Sequence, residues 1–186
     1  LELAQREQVD FIIGLGGGSS MDTAKGCNFI LTNGGEMKDY WGVGKASKPM
    51  LPMIAIPTTS GTGSEVGRAT LIAFDTTTKL AIVGRAIIPD VAICDPELTT
   101  GLPPELTAAT GMDAISHCVE TFCSPKFNPV ADAIALDGLQ RACSNLRTAV
   151  DDGTNLPARS EMMMASMQGA LAFQKGLGII HSLRHP

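Results

Sequence analysis

The chain has 186 residues, of which 44% are hydrophobic and 18% charged, and it carries a formal net charge of −5. That balance excludes an intrinsically disordered chain, gives no basic footprint for nucleic acid, and contains no apolar run long enough to span a membrane. Five cysteines, at 27, 94, 118, 123 and 143, form neither a CxxC pair nor a disulfide framework, so buried thiols in a reducing, cytoplasmic setting are expected.

Leu1 to Asp10 is amphipathic and predicts a helix that leads into Phe11-Ile-Ile-Gly-Leu15, a short apolar run suited to a buried parallel strand. Gly16, Gly17 and Gly18 follow. Ser19 to Leu31 then reads as a helix, with Ser19 as N-cap and Asp22 three residues on, near a capping box. Strand, glycine turn and helix in that order bring backbone N–H groups and the positive end of a helix dipole to one point, where a phosphate fits. A tight turn that binds nothing reads the same way, so both readings stand.

Asn33 to Lys48 holds the only Tyr and Trp, at 40 and 41, and reads as an exposed excursion. Met50 to Ile56 predicts a second buried strand running into Pro57-Thr-Thr-Ser-Gly-Thr-Gly-Ser-Glu65. Hydroxyls and glycines crowd there at the C-terminal end of a strand, where open α/β sheets bind ligands; a polar loop without a ligand is the alternative. Thr70 to Phe74 and Leu80 to Val83 flank a hairpin turn, and Val91 to Cys94 is a further short strand.

From Leu98 onward, Ala, Leu and Met at helical spacing replace β-branched runs, which puts a boundary near residue 97: an α/β domain over 1–97 and a helical domain over 98–186. Pro103 and Pro104 open one helix, Gly111 to Cys123 forms another, and Asn128 with Pro129 makes an N-cap and N1 pair for a third, reaching Val150. Leu156 to Lys175 is a fourth, and its Met162, Met163, Met164 and Met167 mark a helix buried in a bundle.

The three histidines fall into two pairs with one spacing. Asp113 and His117 stand four residues apart, about one helical turn, and so do His181 and His185. Carboxylate and imidazoles on such faces suit a borderline divalent cation such as Fe²⁺ or Zn²⁺, whereas separate core or surface histidines are the plain alternative.

Taken together these motifs resemble the iron-containing (group III) alcohol dehydrogenase family over nearly the whole chain. Gly16-Gly-Gly-Ser-Ser-Met-Asp22 with Ala24-Lys25 is similar to the family's GGGSxxDxAK loop, Pro57 to Glu65 to its PTTxGTGSE loop, Gly111 to Glu120 to its GMDAxxHxxE helix, and Gly176 to His181 with His185 to its GLGxxHxxxH segment. The resemblance implies a dehydroquinate-synthase-like architecture: a Rossmann-like α/β N-terminal domain that binds NAD or NADP, and an all-α helical-bundle C-terminal domain that holds a divalent metal, with the active site between them. It places Gly17, Gly18, Ser19 and Asp22 at the cofactor pyrophosphate, Thr58, Thr59 and Thr62 along the phosphates and nicotinamide side, and Lys79 at the ribose. Asp113, His117 and His181 become metal ligands, Fe²⁺ before Zn²⁺, and His185 lies beside the nicotinamide and substrate. A small alcohol or aldehyde substrate and a homo-oligomer are expected, with no nucleic acid or membrane partner.

The family's fourth metal ligand falls beyond Pro186 and its first strands, with the residue that senses the ribose 2′ position, before Leu1. Both domains are therefore expected to be incomplete, and the chain to be an internal part of a longer dehydrogenase. Arg184, between the two histidines, is bulkier and more charged than the family pattern. A dehydroquinate-synthase-like lyase, sharing fold, nicotinamide and metal, is the rival enzyme class, and a non-catalytic fragment of the same fold is the third reading.

Overall fold

The computed structural model describes residues 1–73, 79–178 and 181, with 79 and 80 described by their backbone alone. The chain divides into two compact units, the first made of Leu1–Ile56 and Ser64–Ile93, the second of Pro57–Gly63 and Cys94–Pro186.

The first unit contains α1 (Glu2–Arg6), β1 (Ile12–Gly16), α2 (Gly18–Asn33), β2 (Gly42–Val43), β3 (Met53–Pro57), β4 (Ala69–Ala73), β5 (Lys79–Val83) and β6 (Val91–Ala92). One sheet runs in the order β1-β3-β6, and β3 pairs parallel with β6 through Ile54 opposite Val91. The other runs β2-β5-β4, with β2 parallel to β5 and the expected hairpin of β4 and β5 antiparallel, from Ala69 opposite Val83 to Ala73 opposite Lys79. Phe29 of α2, Ile82 and Ile87 form the core between these elements, and Met37, Tyr40, Ala46 and Met50 pack against it. The excursion over 33–48 is thus partly folded in: Tyr40 packs on Phe29 in a tilted ring pair with centroids 4.9 Å apart, and its hydroxyl donates to the Gly34 carbonyl.

Two expectations change here. β1 is not buried on both faces, because α2 covers the side of Gly14 while Ile13 and Leu15 on the opposite side stay 53% and 58% exposed. The N-cap of α2 is Gly17 instead of Ser19, and no side chain caps it. Asp22 cannot close a capping box because its carboxylate turns to β4 and Ser64, as described below.

In the second unit α3 (Pro104–Cys123), α4 (Pro129–Asp151) and α5 (Leu156–Ala172) all pack on one another. The two helices expected around Gly111 are one continuous helix. Glycine was read there as a break, but it serves close packing: a Cβ at Gly111 would stand 2.3 Å from Leu146 Cδ1 of α4. Asn128 and Asn155 cap α4 and α5, accepting from the Ala131 and Ala158 amides, and each is followed within two residues by the proline of a well-formed helix start. The core is built from small residues and methionine, Ala142, Ala149, Ala158, Met162 and Ala165, which lets the helices approach closely. Among the cysteines only Cys118 is buried, its thiol pushed up to about 11 by that burial and by Cys143; Cys123 and Cys143 are exposed, contrary to the expected set of buried thiols. Among the described residues no helix is long and apolar enough to cross a membrane.

Candidate metal centre and cofactor loops

Helix α3 carries Asp113, His117 and Glu120 at spacings of four and three, so all three project from one face. The short segment after α5 returns His181 to that face. Asp113, His117 and His181 each bring a ligand atom into one group in which all such atoms lie within 4.8 Å of one another. The imidazoles of His117 and His181 stack at 4.7 Å with planes 22° apart, and His181 Nε2 lies 3.9 Å from Asp113 Oδ1. That nitrogen is buried and makes no hydrogen bond among the described residues. Such a nitrogen carries a desolvation penalty unless something coordinates it. Two imidazoles and a carboxylate are a donor set for Fe²⁺ or Zn²⁺; in a tetrahedral set donors about 2.1 Å from a shared ion stand about 3.4 Å apart, so side-chain adjustments of up to about 1.4 Å would bring the widest pair onto one cation. The residues present therefore fit the cation that the sequence suggests.

His181 has a second neighbour that the ligand motif does not predict. Its Nδ1 lies 2.5 Å from Glu120 Oε2, and the same oxygen accepts the Gly178 amide N–H at 3.0 Å. Glu120 carries no assigned role in the helix motif; its signal in the sequence is its place three residues after His117, on the helix face that already holds Asp113 and His117. His185 lies outside the described residues.

The glycine turn has the expected order, with β1 ending at Gly16 and α2 opening at Gly18. Gly17 offers no side chain to cap the helix, so the first-turn amides of Gly18 and Ser19 have neither an intrahelical acceptor nor a capping side chain, and the positive end of the dipole lies there. The structure shows Asp22, expected at a pyrophosphate, bonded within its own unit. Its carboxylate accepts from Ser64 Oγ at 2.8 Å and from the Leu71 amide at 3.0 Å, so it fastens β4 and the end of the hydroxyl loop to α2. Beside it the fully buried Lys25 ammonium donates to the carbonyls of Ser64, Gly67 and Ala69 and to Ser64 Oγ, over 2.7–3.2 Å. Burial pushes Lys25 down to about 8 against the opposing pull of Asp22 and Glu65, and burial raises the carboxyls of Asp22 and Glu65. Lys25 was quoted in the motif but given no role; a lone lysine inside a helix that packs on a sheet is the signal for a buried cage.

Thr58, Thr59 and Thr62 belong to the second unit. Their loop lies against α3 and α5 so closely that a Cβ at Gly61 would stand 2.6 Å from the Thr110 carbonyl, and one at Gly63 2.2 Å from Ala170 Cβ. Thr59 Oγ1 and Ser60 Oγ are buried and make no hydrogen bond among the described residues. Lys79 opens β5 opposite Ala73, and its side chain lies outside the described residues.

An α/β unit opening on an uncapped glycine turn and a helical unit with an Asp-His-His cluster are together the dehydroquinate-synthase-like class of metal- and nucleotide-binding folds. Residues 1–96 match the family model described as iron-containing alcohol dehydrogenase, and residues 107–186 match that of the Fe-containing alcohol dehydrogenase family, C-terminal. The chain belongs to the iron-containing alcohol dehydrogenase family. It is 54% identical over 181 residues to 4-hydroxybutyrate dehydrogenase of Cupriavidus necator, covering 95% of this chain and 47% of that one. A crystal structure of 1,3-propanediol oxidoreductase superposes with a TM-score of 0.94 at 41% identity, covering 98% of this chain and 48% of its own. Sulfoacetaldehyde reductase from Bifidobacterium kashiwanohense, in complex with NAD⁺, superposes with a TM-score of 0.84 at 38% identity, covering 92% of this chain and 46% of that chain. The chain thus spans about half the length of the curated relatives it matches.

Proposed function

We propose that this chain carries the nicotinamide-binding turn and the metal-binding helices of a dehydrogenase that moves a hydride between a primary alcohol, diol or hydroxy acid and NAD(P), interconverting alcohol and aldehyde or ketone. The observation that carries the reading is the convergence of Asp113, His117 and His181 on one point. Asp113 and His117, held by one rigid helix, and His181 would hold the cation. When bound there, a divalent cation supplies Lewis acidity that lowers the pKa of the alcohol hydroxyl. NAD(P) supplies the hydride acceptor.

The chain's own residues do the rest. The Gly18 and Ser19 amides at the start of α2 bind the pyrophosphate, and Thr58, Thr59 and Thr62 offer hydroxyls toward phosphates and nicotinamide. Asp22 and Lys25 act behind that surface, holding the Ser64–Leu71 segment on α2 so that the turn keeps its shape. Lys79 is assigned to the ribose. His185, one helical spacing beyond His181, is assigned to relaying the hydroxyl proton or positioning substrate. The names of the relatives suggest three-carbon diols and four-carbon hydroxy acids as the first substrates to try.

The test is absorbance of the reduced nicotinamide when the full-length protein, loaded with Fe²⁺, is given NAD⁺ with 1,3-propanediol or 4-hydroxybutyrate. Steady accumulation that disappears in His117→Ala is expected. No accumulation with any alcohol, alongside turnover of a phosphorylated cyclic substrate without net nicotinamide reduction, would move the chain to the lyase reading.

A further inference from the structure

We infer that Glu120 is a positioning residue for this metal centre: its carboxylate fixes His181 in the ring orientation and tautomer that present Nε2 to Asp113 and His117. The inference rests on the metal-site reading above and adds a residue to it. Glu120 sits seven residues after Asp113 on the same face of α3 and is only 7% exposed. Its Oε2 is 2.5 Å from His181 Nδ1. Which of the two atoms carries the proton follows from the third partner. Oε2 already accepts the Gly178 amide N–H at 3.0 Å, so it presents lone pairs, and an ionised carboxylate can only accept. With Glu120 as the acceptor, the hydrogen of this pair sits on Nδ1.

A neutral imidazole protonated at Nδ1 has its lone pair on Nε2. In this structure Nε2 is the buried atom without a hydrogen bond among the described residues, 3.9 Å from Asp113 Oδ1. Glu120 thus selects the tautomer with a free lone pair on the side of the other two ligands, and the ring cannot turn over without giving up a buried hydrogen bond. Gly178 completes the arrangement. It supplies the amide, and it carries no side chain where a Cβ would stand a tight 3.3 Å from the Glu120 carboxyl carbon. A carboxylate behind a metal-bound histidine is worth about 10–100-fold in metal affinity, because it pre-pays the orientation of the ring and raises its basicity.

The test uses the full-length protein and cobalt(II) as probe, titrated in competition with a chelator, with Glu120→Ala and the near-isosteric Glu120→Gln. Glu120→Ala is expected to weaken Co²⁺ binding about 10–100-fold. Glu120→Gln, which keeps the shape but lets the amide donate to the ring as well as accept, should weaken it at least about threefold. In the metal-free protein the ¹⁵N resonances of His181 should report the Nδ1–H tautomer in wild type and a mixture in Glu120→Ala; a tether with no role at the metal would leave that signature alone. Co²⁺ affinity within about threefold of wild type in both variants, or an unchanged tautomer in a folded Glu120→Ala, overturns the inference. His117→Ala separates the two levels: if it too keeps Co²⁺, the metal centre itself is wrong, and if it loses Co²⁺ while both Glu120 variants keep it, only the role of Glu120 is.

Discussion

Replacing Gly63 with alanine probes how the hydroxyl loop is seated in the helical unit. Gly63 has φ +61°, and the added methyl would stand 2.2 Å from Ala170 Cβ and 2.8 Å from the Ser166 carbonyl. Neither atom is the end of a flexible side chain, so the loop or α5 must move by more than an ångström to restore ordinary contact near 3.5–4 Å. Left-handed backbone costs an alanine about 1–2 kcal/mol, and forced overpacking about 1–3 kcal/mol. The reduced freedom of the unfolded chain returns about 0.4–1 kcal/mol. The net loss is about 1–4.5 kcal/mol, which for a chain of this size, at about 2–4 °C per kcal/mol, lowers Tm by roughly 2–18 °C. Urea denaturation followed by circular dichroism at the helical band reads this directly, since the long helices are concentrated in the second unit. Gly101→Ala, where nothing lies within 4 Å of the added Cβ, is the control and should change stability little. A Gly63→Ala variant within about 0.5 kcal/mol of wild type would refute the seating of the loop on α5.

Lys25 gives a pH signature. Its folded-state value is lowered from 10.5 to about 8, so between those values the unfolded chain binds more protons and this group makes stability rise with pH; the penalty of about 3 kcal/mol is present below about pH 8 and relieved above about 10.5. Urea melts across that window should show a shallower rise in Lys25→Met than in wild type, and parallel curves would count against the buried cage. Gly18→Val, by placing a branched side chain at the first-turn amides of α2, should raise the NAD(P) dissociation constant at least about tenfold, or about 1.4 kcal/mol, in calorimetric titration, and unchanged affinity would remove the glycine turn from the cofactor site. His185→Ala should keep stoichiometric metal while losing rate or shifting its pH profile, as a proton-relaying group would; loss of the metal instead would make His185 a ligand.

The metal cluster was legible because helical periodicity is strict: four residues between Asp113 and His117 leave a helix no choice but to align them. The cap at Asn128 was legible for the same local reason, while the equivalent cap at Asn155 was not read. What escaped were roles set by tertiary approach. Gly111 reads as the start of a separate helix until Leu146 of α4 is seen to need its space, and Gly61 and Gly63 read only as parts of a ligand-facing or plain polar loop until Thr110, Ser166 and Ala170 are found against them. From the residues alone Asp22 reads as near a capping box, and the family resemblance places it at the pyrophosphate, yet its partners Ser64 and Leu71 lie more than forty residues on. Glu120 and Lys25 share that difficulty, since a buried charge announces itself in sequence only as a polar residue on an apolar face, while its partner arrives from elsewhere in the chain.

The central claim is that one cation is held jointly by α3 and the segment bearing His181. Its most direct test is the metal content of the full-length protein after anaerobic loading with Fe²⁺ and desalting, compared with Asp113→Asn, His117→Ala and His181→Ala. The account predicts stoichiometric iron in wild type and less than about a tenth of it in each variant, with circular dichroism unchanged. Stoichiometric iron retained in His117→Ala would contradict it and leave α3 a core helix with a buried histidine.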